Sequence, residues 1–487
     1  MTNYPEILRA LAPETALVVA ALIVLGLDLS VGRNQSGATR LRRSTWVALL
    51  GVAVAIWTAC AGGSDGTVVD EVLVLDSLAL ATRVGVLGLA GLTLLLAPGT
   101  TRLRNSAEYV AIILFATAGL TLMAVAQQLL VAFLAIELAS LSLYVLAGFD
   151  KSRPESAEAA LKYFLLGGIS AAFLLFGFSL IYGLTGSLVF PEIAQQLATQ
   201  PASTLLIVAL VMILVAFGFK AAAAPFHLWA PDVYQGAPVG SAALIASASK
   251  LAGFVMFVRL LWSGFASASG SVATFEGAPG WLPVVAVIAA ASLFLGNFAA
   301  LAQANVRRLL AYSAIAHAGA LLLGVMAAGT AGPAPLFYYA ATYGIATVGT
   351  FGVIAVIDAA GGCRELRDLA GLHRRSPLLA GCLLVFVLSL AGIPPLAGFF
   401  GKFAVFAAAL QIGGLDGPIG WLVFAAIFLS AVALYYYLLI LKQALVAAPP
   451  ANHQRIAVPA NAGLALILCA LLLLGLGLFP SLVLGLF

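Results

Sequence analysis

Charge is what this sequence has least of. Only 9% of its 487 residues are Asp, Glu, Lys or Arg, against roughly 25% in an ordinary soluble domain. A net charge of +4, with no basic run and no polar segment large enough to fold alone, excludes a nucleic-acid surface and a soluble catalytic domain. Cysteine is scarce as well. Cys60, Cys363, Cys382 and Cys469 are scattered without a C-x-x-C pair, which argues against an iron–sulfur or zinc site held by this chain. Gly85, Gly88 and Gly91 have the spacing of a nucleotide loop but lie inside an apolar run, where glycine serves close helix contact. The expectation is therefore no cofactor and no metal in this chain. Alternating segments of about 10 residues are missing too, which excludes a transmembrane β-barrel.

What the chain has in quantity is hydrocarbon. It is 63% hydrophobic, with a mean hydropathy of +1.11. At about 20 apolar residues per crossing, the runs between polar breaks predict an all-α polytopic membrane protein of about 14 transmembrane helices. They lie near 13–31, 45–61, 77–97, 108–125, 128–149, 158–183, 203–236 and 238–263, then 282–303, 308–329, 335–357, 377–410, 419–445 and 460–485. Basic residues follow the first run rather than precede it, so it reads as a retained helix with the N-terminus outside.

That orientation can be checked against every other connection. It places Arg33, Arg40, Arg42, Arg43, Arg102, Arg104, Lys151, Arg153, Arg307, Arg308, Arg364, Arg367, Arg374, Arg375, Lys442 and Arg455 on the inside. The outside connections carry only acids: Asp65, Asp70, Glu71, Asp76, Glu192, Glu276 and Asp416. No connection breaks the positive-inside rule. Both termini are expected outside a cell inner (plasma) membrane.

Two runs are too long for simple crossings. Residues 203–236 and 377–410 would each extend about 50 Å as straight helices, against a hydrocarbon core of about 30 Å. Each holds a helix breaker, Pro225 in one and Gly392-Ile-Pro-Pro395 in the other. Broken helices persist in a membrane only where protein or water satisfies the freed backbone, and they point to transport sites. Lys220 and Lys402, beside the breaks, are 182 positions apart, and Glu137 and His317 are 180 apart. The two similar offsets predict a five-helix unit used twice, spans 4–8 and 9–13, and the odd helix number makes the second copy inverted. The expected segments are 1–107 (three helices), 108–270 (first repeat), 282–445 (inverted repeat) and 446–487 (C-terminal helix).

An ionisable group at mid-membrane costs at least about 2.5–3.5 kcal/mol on insertion scales. Arg83 and Arg259 lie close enough to span ends to snorkel, and Lys162 is one turn inside its span, where snorkelling and function are both open. Glu137, Lys220, Lys250, His317 and Lys402 sit deep, at similar depth on five spans. One such residue would be an ordinary structural ion pair; five together suit proton movement. Desolvation disfavours the charged form and an opposite charge favours it, so occupancy is easily switched, and a histidine passes a proton between two ring nitrogens.

These residues carry a resemblance. Lys220-Ala-Ala-Ala-Ala-Pro-Phe-His-Leu-Trp-Ala-Pro-Asp-Val-Tyr-Gln-Gly-Ala-Pro238 resembles the most distinctive stretch of the antiporter-like subunits of respiratory complex I. Ala132-Phe-Leu-Ala-Ile-Glu-Leu138, Tyr312-Ser-Ala-Ile-Ala-His-Ala-Gly319 and Gly392-Ile-Pro-Pro-Leu-Ala-Gly-Phe-Phe-Gly-Lys402 match the same pattern. Within the family, the length without an added lateral helix and the lysine at 402 are most similar to the branch called subunit N.

The resemblance implies a proton channel in a membrane arm, driven by NADH-to-quinone electron transfer elsewhere. Glu137 and Lys220 would be the coupled pair, Lys250 and His317 the central relay, and Lys402 the terminal exchanger; Lys162 matches a lysine placed beside the pair. His227 and Asp232 of the signature would tie the broken helix down. Flavin, iron–sulfur clusters and quinone would belong to partner subunits. Subunits K and M are the expected neighbours, with the lipid bilayer around them, no nucleic acid and no homo-oligomer. Two alternatives stay open: a subunit of a multisubunit cation/proton antiporter, and a passive scaffold whose buried charges lock helices together.

Overall fold

The computed structural model describes residues 4–32, 35–63, 65–69, 71–98, 103, 105–199, 203–274, 279–449 and 454–487. Arg33, Arg102, Arg104, Asp70 and Glu276 lie outside the described residues. The chain opens with α1 (Tyr4–Ala10), α2 (Ala12–Leu27) and α3 (Gly37–Ala61), an antiparallel hairpin of β1 (Asp65–Val69) and β2 (Leu73–Asp76), and α4 (Ser77–Leu96). The first repeat comprises α5 (Ser106–Val125), α6 (Leu129–Ala147), α7 (Pro154–Thr185), a surface helix α8 (Phe190–Ala198), the broken span α9 (Thr204–Ala221) and α10 (Trp229–Gly236), and then α11 (Val239–Ala246) and α12 (Ala248–Gly264). The second holds α13 (Trp281–Leu301), α14 (Val306–Ala331), α15 (Ala334–Gly361), a single turn α16 (Leu372–Arg375), the broken span α17 (Pro377–Ala391) and α18 (Ala397–Gly413), and α19 (Pro418–Leu441). Helices α20 (Ala460–Leu478) and α21 (Ser481–Leu484) close the chain.

Among the described residues, thirteen helices are long and apolar enough to cross a membrane. Two shorter apolar helices, α17 and α18, are joined across the second break. The packing repeats. Gly119 on α5 lies so close to α6 that an added Cβ would meet the Ala139 nitrogen at 2.5 Å, and Gly296 on α13 approaches the Ala316 nitrogen of α14 at 2.4 Å. Both residues of one pair lie 177 positions from their counterparts in the other. Glycine at both crossings lets backbones touch, which is how helices gain packing without a hydrophobic drive between them.

The breaks correspond differently from the lysines beside them. Helix α9 ends on Ala222 and α17 on Gly392, both left-handed, with prolines following. These ends are 170 positions apart, not 182, because Lys220 precedes its break by two residues and Lys402 follows its own by ten. The two lysines therefore approach the membrane centre from opposite sides of their breaks and are not equivalent positions of the repeat.

Other differences from the sequence reading have local causes. The run 238–263 is interrupted at Ser247, which leaves helical geometry (φ −115°, ψ −82°) while its hydroxyl donates back to the Ala243 carbonyl at 2.6 Å. A serine offering the backbone an alternative partner is a known way to disturb a helix. Arg83 and Arg259 do not snorkel. Both are buried and paired, Arg83 with Glu14 at 2.9 Å and the Ala10 carbonyl at 2.8 Å, and Arg259 with both oxygens of Asp76 at 2.8 and 2.9 Å. Asp76 also accepts from the Ala79 N–H and caps α4. In the connection before α4, Asp65–Val69 and Leu73–Asp76 form the hairpin, and α8 covers the same end with Phe190, Ile193 and Leu197 buried.

Candidate functional site

Both breaks free backbone groups inside the membrane, and in both a serine hydroxyl takes up a freed donor. The Ala224 N–H donates to Ser292 Oγ of α13 at 2.8 Å, and the Gly398 N–H donates to Ser389 Oγ of α17 at 3.1 Å. The carbonyl ends are covered too. Trp229 Nε1 donates to the Phe219 carbonyl at 3.0 Å, and Lys402 Nζ donates to the Ala391 carbonyl at 2.9 Å. A cation at the last carbonyls of a helix is favoured by the helix dipole, so the terminus of α17 is itself what holds the Lys402 amine in place.

In the first repeat, Lys220 is buried in the last turn of α9, and its amine donates to Ser140 Oγ on α6 at 3.1 Å. Ser140 lies one turn beyond Glu137 on the same helix face. Glu137, Ser140, Tyr144, Ser170 and Lys220 border a cavity of about 20 Å³, room for one water by the measure in which a water needs roughly 10–15 Å³. Glu137 and Lys220 do not touch; serine and cavity lie between them. A second cavity of about 20 Å³ lies in the second repeat, bordered by Asn297, His317, Tyr339, Lys402, Ser430 and Tyr436. Between the two stands Lys250, buried in the first turn of α12. Its amine donates to the Ala314 carbonyl of α14 at 2.5 Å and lies 5.6 Å from the centroid of the Tyr343 ring. The other face of that gap is His317, whose ring centroid is 4.8 Å from that of Tyr343.

The cations inside the bundle fall into two sets. Arg83, Arg259 and Arg307 each meet a carboxylate, Arg307 with Asp358 at 2.9 Å. Among the described residues, Lys220, Lys250 and Lys402 form no ion pair and rest on a hydroxyl or a carbonyl instead. Arginine keeps its proton in any protein setting, whereas lysine shifts readily on burial. The fixed charges are thus arginines paired for good, and the unpaired ones are of the type that can exchange.

Lys162 belongs elsewhere. It is 41% exposed in its side chain and pairs with Glu158 and with Asp232, both at 2.6 Å. Asp232 on α10 also accepts from Arg308 of α14 at 2.5 Å. This network ties α10 to both repeats, in keeping with the anchoring role given to Asp232 by the signature. His227 of the same signature is buried. Sequence reasoning missed Ser140, Tyr339 and Tyr437. Ser140 had a signal, its position one turn from Glu137; the tyrosines had none, because they reach His317 from other helices.

Helices broken at two related places, with unpaired lysines and a histidine strung between small polar cavities, define a membrane subunit of the antiporter-like class. The family described as NADH:quinone oxidoreductase/Mrp antiporter matches residues 126–433. The chain is 48% identical to NADH-quinone oxidoreductase subunit N 2 of Acidobacterium capsulatum, over 99% of this chain and 98% of that one. It is 37% identical to subunit N of Trichlorobacter lovleyi, over 98% and 95%. It belongs to the NADH-quinone oxidoreductase subunit N family. Among solved structures, a chain of respiratory complex I from Thermus thermophilus is similar at a TM-score of 0.80 and 36% identity, covering 97% of this chain and 98% of that one. A chain of the Mrp complex from Dietzia shares the fold at a TM-score of 0.80 and 22% identity, over 98% and 96%.

Proposed function

We propose that the chain is a proton-translocating membrane-arm subunit of an NADH:quinone oxidoreductase, with Glu137, Lys220, Lys250, His317 and Lys402 as its relay. The observation that carries this reading is the division of the cations inside the bundle, in which every buried arginine described is neutralised and the lysines at the breaks are not. A scaffold would pair them all, since an unpaired buried charge costs several kcal/mol. In the first repeat a proton passes between Glu137 and Lys220 through Ser140 and the water-sized cavity. Lys250 and His317 continue the path, and Lys402 ends it at the second cavity. Lys162 acts at one remove, holding α10 through Asp232. The energy comes from electron transfer on partner subunits, which hold the flavin, iron–sulfur clusters and quinone. Subunits K and M are the neighbours this reading assigns. A purified, tagged chain is expected to bring down an NADH-oxidising assembly containing flavin and iron–sulfur clusters. An assembly lacking both and exchanging cations for protons would instead favour the multisubunit antiporter.

The reading includes an orientation, with both termini outside the inner membrane and residues 358–376 inside, supported by the absence of Lys and Arg from every outside connection. Cys60 is exposed and the other three cysteines are buried, so Cys60→Ser provides a quiet background. In it, a membrane-impermeant maleimide is expected to label Asp368→Cys in inverted vesicles only. Labelling in sealed cells would reverse the orientation.

A further inference from the structure

His317 is held at both ring nitrogens by phenols. Nδ1 lies 2.6 Å from the Tyr339 hydroxyl on α15, and Nε2 lies 3.0 Å from the Tyr437 hydroxyl on α19. The Tyr437 hydroxyl is in turn hydrogen-bonded to Ser313 Oγ, one turn before the histidine on α14. Both tyrosines are fully buried, and Tyr339 borders the cavity that also holds Lys402. A neutral imidazole carries one N–H donor and one bare acceptor. One phenol must therefore donate to the ring while the other accepts from it, and where Tyr437 is the donor its own oxygen is left to accept from Ser313 Oγ.

We infer that Tyr437 and Tyr339 are proton-carrying residues on either side of His317, so that this stretch of the relay runs through side chains and not through water. The inference rests on the relay proposed above. In the loaded arrangement Ser313 donates to Tyr437, Tyr437 donates to Nε2, Nδ1–H donates to Tyr339, and the Tyr339 hydroxyl points into the cavity. A proton reaching Ser313 Oγ displaces the serine proton to Tyr437, the Tyr437 proton to Nε2, the Nδ1 proton to Tyr339, and the Tyr339 proton into the cavity beside Lys402. One proton enters and one leaves, with the histidine neutral before and after. All hydrogen bonds now point the other way, and the imidazole carries its proton on Nε2. No second proton can follow in the same direction until the chain has turned over. The clamped ring thus admits one proton per reset, and the reset must return the imidazole proton to Nδ1.

The test uses the assembled complex in proteoliposomes, with protons moved per NADH oxidised as the readout. Tyr437→Phe and Tyr339→Phe each remove one oxygen and keep the ring. Each is expected to lower the ratio as far as His317→Ala does, and Tyr437→Phe combined with His317→Ala is expected to fall no further, because both interrupt one path. Tyr338→Phe is the control. Its hydroxyl is also inside the bundle, but donates to the Leu476 carbonyl and does not reach the histidine, so it should pump at the wild-type ratio. If Tyr437→Phe fails to assemble, Ser313→Ala breaks the same chain at its far end with the loss of one atom and should show the same fall. A wild-type ratio in the tyrosine variants alongside a lowered one in His317→Ala overturns the tyrosine path and leaves the relay standing. A wild-type ratio in His317→Ala itself removes the relay.

Discussion

Lys220→Ala is expected to abolish proton movement through this subunit while the complex still assembles. Lys220 is a buried amine beside a cavity of water size that Glu137 also borders. The cost to the fold is limited by what the lysine does not do. Removing one partner of a contacting buried pair costs about 3–5 kcal/mol, but Lys220 forms no such contact, and Glu137 is only partly buried. Truncation leaves Ser140 Oγ without its donor, at about 1–3 kcal/mol if nothing replaces it, and the enlarged cavity supplies a water that can. Lys220→Arg should fail as well. The charge remains, but guanidinium has a pKa above about 12 and does not release its proton in a working cycle. Normal protons per NADH in either reconstituted variant would refute the assignment of Lys220. A complex that never assembles would favour the scaffold reading.

Much of this was legible in the sequence because a membrane leaves few options. Apolar runs can only be crossings, and prolines inside overlong runs can only be breaks, so α9 to α10 and α17 to α18 lie where Pro225 and Pro394 announced them. The Lys, Glu and His residues within the spans stood out for the same reason: a charge among leucines has no cheap explanation. What could not be read was which charge meets which. Glu14 and Asp76 looked like ordinary flanking acids, yet each neutralises an arginine from another helix, and Lys162 pairs with Asp232 rather than joining the cavity of Lys220. Pairing depends on how helices lie side by side, and the apolar pattern, hydrophobic on nearly every face, says nothing about that. The tyrosines at His317 escaped notice for the related reason that tyrosine is unremarkable in a membrane helix until its hydroxyl has a partner. The interruption at Ser247 was hidden among small residues that fit a helix as readily as a break.

The second large effect is expected at Gly398, where the two halves of the broken span touch. A Cβ built there would lie 1.8 Å from the Ser389 carbonyl oxygen and 2.7 Å from its carbon. These are backbone atoms at the end of α17, held by their own hydrogen bonds, and they cannot move aside as a flexible side chain would. The same closeness lets the Gly398 N–H reach Ser389 Oγ at 3.1 Å, the bond that satisfies the break inside the membrane. Gly398→Ala must push α18 away from α17, lose that bond, and shift Lys402 off the Ala391 carbonyl one turn further on. Overpacking typically costs 1–3 kcal/mol, and an unsatisfied buried donor adds about 1–3 kcal/mol, so a loss of roughly 3 kcal/mol or more is expected, read as lower yield of assembled complex and earlier thermal unfolding. Gly381→Ala is the matched comparison. It lies in α17 with nothing within 4 Å of its added carbon, and alanine in place of glycine there should be neutral or stabilising by about 0.5–1 kcal/mol. Equal behaviour of the two variants would mean that α17 and α18 do not meet at Gly398, and the geometry that holds Lys402 at the second cavity would go with it.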